Sequence, residues 1–138
     1  MGDGPEMSKI KNKAKNAKNI DILGFQTVDV LTDYMQRAKA FVFAAEEDFG
    51  IMPVEAQACG TPVIAYGKGG CLETVRGLEH LNPTGVFFTE QTQTAICQAI
   101  DEFESHLNQF SVDNCVFNAS RFSVEIFREK MKAFVNRI

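Results

Sequence analysis

The residues of this sequence best suited to binding chemistry are two carboxylates on either side of a short turn. Glu47 lies in the acidic run of residues 46–48, and Glu55 follows it after seven intervening residues. A carboxylate can accept two charge-assisted hydrogen bonds from a vicinal diol, so the pair favours a ligand rich in hydroxyl groups. The helix dipole alone would also favour a Glu early in a helix, and Glu46 and Asp48 fit solvated turn residues equally well.

Backbone groups beside these carboxylates add a second kind of binding chemistry. The N–H groups of Phe49, Gly50 and Ile51 come just before and at the start of a predicted helix, whose N-terminus binds anions and hydroxyls. Gly69 and Gly70 follow the next predicted strand and allow a phosphate to approach the backbone without a side-chain clash. Together these residues predict an edge that binds both anions and hydroxyl groups.

Alternating strands and helices must position this edge. Residues 40–44 and Thr61 to Tyr66 are short apolar runs typical of buried strands, and Ile51 to Cys59 has helical spacing with Gly60 as its C′ residue. Residues 71–76 begin another helix after the glycine loop. This order requires parallel strands with right-handed crossovers, so both loops lie at the carboxyl edge of one sheet, where ligands bind.

The flanking segments continue the same pattern. Before the central block we expect a helix from Met7 to Ala17, a strand at residues 20–24 and a helix capped by Thr27. After it we expect a strand from Thr84 to Phe88 and three helices, over residues 90–107, 110–119 and 123–135. Thr89 and Ser123 are the candidate N-caps of the first and last of these helices. The chain therefore predicts an α/β fold with a parallel, Rossmann-like sheet flanked by helices.

Composition excludes several classes of function. The net charge of −4 gives no electrostatic footprint for nucleic acid. No apolar run reaches the roughly 18 residues of a membrane span, and the charged N-terminus lacks the apolar region of a signal peptide. The four cysteines form no CxxC pair and only two histidines are present, so we expect free thiols and no metal site. These features predict a soluble, cytoplasmic protein.

The block from Phe41 to Val75 resembles the donor-binding signature of the retaining nucleotide-sugar glycosyltransferases of family 4, which have the GT-B fold. That signature is two glutamates separated by seven residues, here Glu47 and Glu55 around DFGIMPV. The segments ACGTPVIA and Gly69-Gly70 follow at the expected places. The wording EEDFGI and PVEAQACG is most similar to the mannosyltransferase-type members.

The resemblance implies roles for individual residues. Glu55 would hold the ribose of a nucleotide sugar, and Glu47, the catalytic position, would face the donor sugar. The other donor-binding residues implied are Phe49, Gly50, Ile51, Gly69 and Gly70. No DxD motif is present, so we expect no metal and no cofactor, with the nucleotide sugar (GDP-mannose is one candidate) as substrate. Lys68 is more typical of a surface lysine than of a phosphate ligand.

The resemblance also implies that residues 1–138 are a single donor-binding domain, the C-terminal half of a GT-B enzyme. The first strand–helix unit, the Arg and Lys that neutralise the leaving diphosphate, and the N-terminal domain that binds a glycan or lipid-linked acceptor are expected outside it. The parent enzyme would transfer a sugar in polysaccharide biosynthesis, in the cytoplasm or at the cytoplasmic face of the membrane. We expect this chain alone to be inactive and, because of its open sheet edge, able to self-associate.

Two other functions fit parts of the same pattern. A binding module could hold a nucleotide or nucleotide sugar without turnover, and it would use the same carboxylates and backbone donors. A dinucleotide-dependent Rossmann enzyme is disfavoured, because no GxGxxG follows a strand near the N-terminus.

Overall fold

The computed structural model describes residues 2–137, which form two compact units with a boundary after Tyr34. The first unit contains helix α1, Met7–Ala14, and the start of helix α2, Val28–Arg37. Its backbone is closed by a 2.7 Å hydrogen bond from the N–H of Gly2 to the carbonyl of Gly24. None of residues 2–34 is fully buried, so this unit has no core of its own.

The strand expected at residues 20–24 is absent from the described chain, and that prediction is wrong. Residues 20–23 have the apolar content of a strand, but they make no ladder of backbone hydrogen bonds. A short strand is stable only when a neighbouring strand satisfies its backbone groups. An apolar run therefore did not suffice to make a strand here.

The second unit is built on a three-stranded parallel sheet. Strand β1 is Phe41–Phe43, β2 is Val63–Tyr66 and β3 is Gly85–Phe88, in the spatial order β1-β2-β3. Phe43 pairs with Ala65, and Ala65 pairs with Phe87. All three strands lie inside the apolar runs that predicted them, so the predicted parallel sheet is confirmed.

Helices flank this sheet in the predicted order. They are α3 Ile51–Ala58, α4 Cys71–Thr74, α5 Gln93–Ser105, α6 Val112–Ser120 and α7 Val124–Val135, with a 3₁₀ turn at Leu107–Gln109. Ser123 caps α7 as expected, because its hydroxyl accepts the N–H of Ile126 at 3.3 Å. The expected cap of α5 is wrong: Thr92, not Thr89, accepts the N–H of Ala95, because residues 89–92 form a turn before the helix begins.

Helix α3 ends as its sequence predicts. Gly60 has a φ of +86°, its N–H donates to the carbonyl of Gln57, and the N–H of Thr61 donates to the carbonyl of Ala56. These two bonds form a Schellman motif, which needs glycine at the left-handed position. The hydroxyl of Thr61 then donates to the carbonyl of Met35. The chain is thus turned directly into β2.

The hydrophobic core lies between the sheet and α5. Ile64, Tyr66, Val86 and Phe88 from the strands pack with the α5 residues Ala99 and Phe103. Helix α5 therefore packs one apolar face against the sheet. Helix α7 differs, because none of its residues is buried and its apolar stripe is exposed, with Phe134 at 64%.

Candidate functional site

The acidic loop, residues 44–50, leaves the carboxyl end of β1 and leads into α3. Glu46, Glu47 and Asp48 are all exposed along it. Gly50 has a φ of +79° and occupies the N-cap of α3, where no side chain caps the helix. No hydrogen bond within residues 2–137 is donated by the N–H of Ile51. The start of α3 is therefore open at the edge where the sequence predicted anion binding.

The two N–H groups just before α3 also lack a backbone acceptor within residues 2–137, although Gly50 itself is buried. Neither Phe49 nor Gly50 donates a backbone hydrogen bond in the part of the chain that the structure describes. Their donors adjoin that of Ile51, so the turn presents consecutive polar groups that a ligand could satisfy. This is the arrangement that the sequence predicted, although the binding itself stays a prediction.

The glycine loop, residues 67–70, leaves the carboxyl end of β2 and contacts the acidic loop. The N–H of Gly70 donates to the carbonyl of Glu47 at 2.8 Å. A Cβ on Gly69 would lie 2.4 Å from that same oxygen, and one on Gly70 would lie 2.3 Å from the Cα of Phe49. Both glycines are therefore required by the packing of one loop on the other. Their predicted approach to a phosphate remains a prediction.

The two key carboxylates lie on different elements of this edge. Glu55 is exposed on α3. Burial raises the pKa of the nearby Cys59 thiol, and the negative charge of Glu55 raises it further. Burial raises the pKa of the Cys71 thiol, and the charge of Glu47 raises it further. The hydrogen bond from the Gly70 N–H places the Glu47 backbone beside the start of α4. The structure brings Glu47 to the glycine loop, and no hydrogen bond between Glu47 and Glu55 occurs within residues 2–137.

A cation faces the acidic loop from the glycine loop. The Nζ atom of Lys68 lies 5.6 Å from the centroid of the Tyr66 ring. The pKa of Lys68 is raised, first through its interaction with the Tyr66 hydroxyl and then by the charge of Glu46. Lys68 is exposed, so its side chain can reorient toward a ligand.

Sequence reasoning missed the polar network that supports this edge from behind. Gln57, Thr74 and Asn118 are completely buried. The amide of Asn118 donates to Gln57 Oε1 at 2.7 Å and to the carbonyl of Thr74 at 2.8 Å, while Gln57 also donates to the Thr74 carbonyl. Thr74 Oγ1 in turn donates to the carbonyl of Gly70. The network joins α3, α4 and α6, and so fixes the glycine loop relative to α3.

Only one weak signal in the sequence could have revealed this network. Gln57 stands between two alanines in a helix whose neighbours are largely apolar, so a polar side chain there requires a buried partner. The partner, Asn118, lies 61 residues away and belongs to no recognisable motif.

The acidic loop is also held by aromatic contacts. The ring of Phe49 meets Phe122, between α6 and α7, edge to face at a centroid distance of 5.6 Å. Arg121 Cζ lies 5.2 Å from the centroid of the same Phe122 ring. Phe49 was predicted as a backbone donor, and the structure shows that its side chain also anchors the loop.

Two features of other protein classes are absent from residues 2–137. No group of three or more His, Cys, Asp or Glu side chains comes together there as a metal-ligand set. None of the described helices is long and apolar enough to cross a membrane.

The sequence was compared with models of known protein families. The model of the glycosyl transferases group 1 matches residues 1–110. The chain belongs to that family. The family predicted from the two glutamates and the glycine loop is thereby confirmed.

Relatives of this group 1 chain are longer proteins. Alpha-1,3/1,6-mannosyltransferase ALG2 of Kluyveromyces lactis is 30% identical over 147 residues, covering 97% of this chain and 28% of the relative. The uncharacterized glycosyltransferase MJ1178 of Methanocaldococcus jannaschii is 36% identical over 78 residues, covering 54% of this chain and 22% of its own length. The chain thus spans less than a third of these relatives.

Solved structures of similar fold agree with the family. Sucrose-phosphate synthase from Thermosynechococcus elongatus matches 96% of this chain and 33% of its own with a TM-score of 0.73 and 23% identity. Anabaena HepE, in complex with UDP and glucose, matches 96% of this chain and 36% of its own with a TM-score of 0.70 and 23% identity. These likenesses confirm the predicted fold, a Rossmann-like C-terminal half of the GT-B type.

Proposed function

We propose that this chain is the donor-binding domain of a glycosyltransferase that transfers a sugar from a nucleotide sugar with retention at the anomeric carbon. The observation that carries the proposal is the open N-terminus of α3, with Glu47 on one side and Glu55 on the helix itself. Carboxylates bind diols and free N–H groups bind oxyanions, so one edge offers partners to the ribose, the diphosphate and the sugar of such a donor.

The two carboxylates have separate tasks in this proposal. Glu55 accepts hydrogen bonds from the ribose hydroxyls, so it contributes to every ligand that carries the nucleoside. Glu47 accepts hydrogen bonds from the donor sugar and orients its anomeric carbon toward the acceptor. Phe49, Gly50 and Ile51 bind donor oxygens through their backbone N–H groups.

The glycine loop serves the diphosphate in the same scheme. The backbone of Gly69 and Gly70 lies beside the donor edge, and Lys68 adds a positive charge there. During transfer the bond between the anomeric carbon and the diphosphate oxygen breaks, and the acceptor oxygen bonds to that carbon while its hydroxyl proton is released. The departing diphosphate takes the electron pair and needs positive partners. We propose that no divalent metal is required for donor binding.

The identity of the donor is a finer proposal. The mannosyltransferase named among the relatives supports a mannose donor such as GDP-mannose. HepE, whose structures contain UDP and UDP-glucose, supports uridine nucleotides as the alternative. The acceptor, a glycan or a lipid-linked sugar, would be bound by residues outside this chain, so the chain alone would not turn over. We also propose that the parent enzyme acts at the cytoplasmic face of a membrane.

Calorimetric titration of single variants tests the assignment. GDP-mannose, UDP-glucose, GDP and UDP are titrated into the wild-type chain, and into Glu55→Gln and Glu47→Gln. We expect Glu55→Gln to weaken the diphosphate and the nucleotide sugar about tenfold each, or roughly 1.4 kcal/mol. Glu47→Gln should weaken only the nucleotide sugar.

The control is Glu104→Gln, because Glu104 is an exposed carboxylate on α5. It should change neither affinity. Equal losses for both ligands in both site variants would contradict the division of tasks. A tenfold gain in affinity on adding magnesium would contradict the proposed metal independence.

A further inference from the structure

We propose that a second pocket of the chain, apart from the donor edge, binds the phosphate group of a small phosphate ester. This arginine pocket has a volume of about 570 Å³ and is lined by Leu72, Glu73, Val75, Arg76, His80 and Arg121. It lies beside α4 and the end of α6, and none of the residues predicted for donor binding lines it.

Arg121 is held in place by the buried network. Its Nη1 donates to Asn118 Oδ1 at 2.7 Å. Asn118 is completely buried and its amide nitrogen already has two acceptors, so that oxygen is fixed in position. A guanidinium carries five N–H donors, and this bond uses one of them. The others belong to an exposed residue and remain available to a ligand.

Arg76 is anchored through its backbone. Its N–H donates to Thr84 Oγ1 at 3.0 Å, and its carbonyl accepts from the N–H groups of Thr84 at 2.8 Å and Gly85 at 3.1 Å. These bonds tie Arg76 to the start of β3. Both arginines therefore come from anchored backbone, and a bound anion would have to order only the side chain of Arg76.

Neither arginine is paired with a carboxylate in the part of the chain that the structure describes. Within residues 2–137 neither Arg76 nor Arg121 forms a salt bridge, whereas the His80 ring at the rim lies 3.4 Å from Glu79. Glu73 also lines the pocket and opposes an anion, but two arginines outweigh one glutamate. Arginine pairs with phosphate through two parallel hydrogen bonds, so the charge that the protein leaves uncompensated matches that group.

The apolar part of the pocket's lining argues for an ester rather than a free ion. The pocket is wider than a single phosphate, and the apolar side chain of Leu72 at its wall suits a carbon skeleton attached to that phosphate. Leu72 is 58% exposed, which leaves an apolar surface that such a skeleton would cover.

Titration with inorganic phosphate and with glycerol 3-phosphate tests the proposal. The 138-residue chain, labelled with ¹⁵N, is titrated at constant ionic strength with chloride as the balancing anion. We expect saturable shifts of the Arg121 and Arg76 signals, with the ester binding at least about threefold tighter than inorganic phosphate. Arg121→Gln and Arg76→Gln should each weaken binding about tenfold.

The control is Arg128→Gln on α7, outside the pocket, which should leave the affinity unchanged. Arg76→Gln leaves the Asn118 network intact, so it tests the site even if Arg121→Gln lowers the thermal midpoint. Shifts that chloride reproduces, or affinities that both pocket variants leave unchanged, would overturn the proposal. Displacement of phosphate by UDP or GDP would also overturn it, because the pocket would then belong to the donor site. If the Glu47 and Glu55 variants did not affect donor binding, the proposed function would fail, but the proposed phosphate site would be unaffected.

Discussion

Two polar residues of α3, only two positions apart, face opposite environments. Gln57 points into the protein, is completely buried and shares hydrogen bonds with α4 and α6. Glu55 lies on the exposed surface of the same helix, beside the open acidic loop. One helix therefore carries both the support of the candidate site and one of its proposed binding groups.

This contrast shows that polarity alone does not identify a functional residue. Gln57 is polar because the buried Thr74 carbonyl and Asn118 amide need hydrogen-bond partners. Losing those hydrogen bonds would lower the free energy of unfolding. Glu55 has no such obligation, because an exposed carboxylate needs no protein partner, and its proposed role in ligand binding depends on its place beside the acidic loop. Stability and binding should therefore respond to different substitutions.

The largest expected effect is on the contact between the two loops. In Gly70→Ala the new Cβ would lie 2.3 Å from backbone atoms of Phe49, so the loops would have to separate. We expect the free energy of unfolding to fall by more than about 3 kcal/mol, measured by urea denaturation. Gly77→Ala is the matched control, because its Cβ would meet only the end of the Glu79 side chain, which can move. Similar losses for both variants would contradict the proposed loop packing.

A smaller effect should separate the two residues of α3 directly. Gln57→Ala removes the acceptor of the Asn118 amide and a buried donor, so we expect a loss of about 2–4 kcal/mol in the free energy of unfolding. Glu55→Gln should change the same quantity by less than about 0.5 kcal/mol. Urea denaturation of the two variants decides the question. If Glu55→Gln were as destabilising as Gln57→Ala, Glu55 would be a structural residue.

The smallest effect compares a buried with an exposed cysteine. Burial raises the pKa of Cys115 from 9.0 to about 12. Above pH 9 the unfolded chain loses a proton that the folded chain keeps, so the free energy of unfolding falls as pH rises toward 12. Unfolding measured between about pH 8 and pH 11 should be less steeply dependent on pH in Cys115→Ala. Cys97→Ala, at an exposed position, should retain the wild-type dependence.

Local patterns in the sequence predicted most of the fold. The strand at Phe41–Phe43, the helix end at Gly60 and the cap at Ser123 each depend on neighbouring residues and were predicted correctly. The cap at Thr89 failed because Thr92 competes for the same role three residues later. The strand at residues 20–24 failed because pairing depends on a partner that local sequence does not specify.

The candidate site divides in the same way. Glu47, Glu55 and the glycine loop were found because their spacing along the chain is short and regular. The contact of Asn118 with Gln57 joins residues that only the folded chain brings together. The packing requirement at Gly70 was likewise invisible, since it depends on the path of another loop rather than on its own turn.

The hydrogen bond from the Gly70 N–H to the Glu47 carbonyl also has a kinetic consequence. That amide proton can exchange with solvent only when the acidic loop and the glycine loop move apart, so its exchange rate counts these openings. The exchange rate of the Gly70 amide therefore reports how often the two loops separate. A ligand that holds the loops together would slow this exchange.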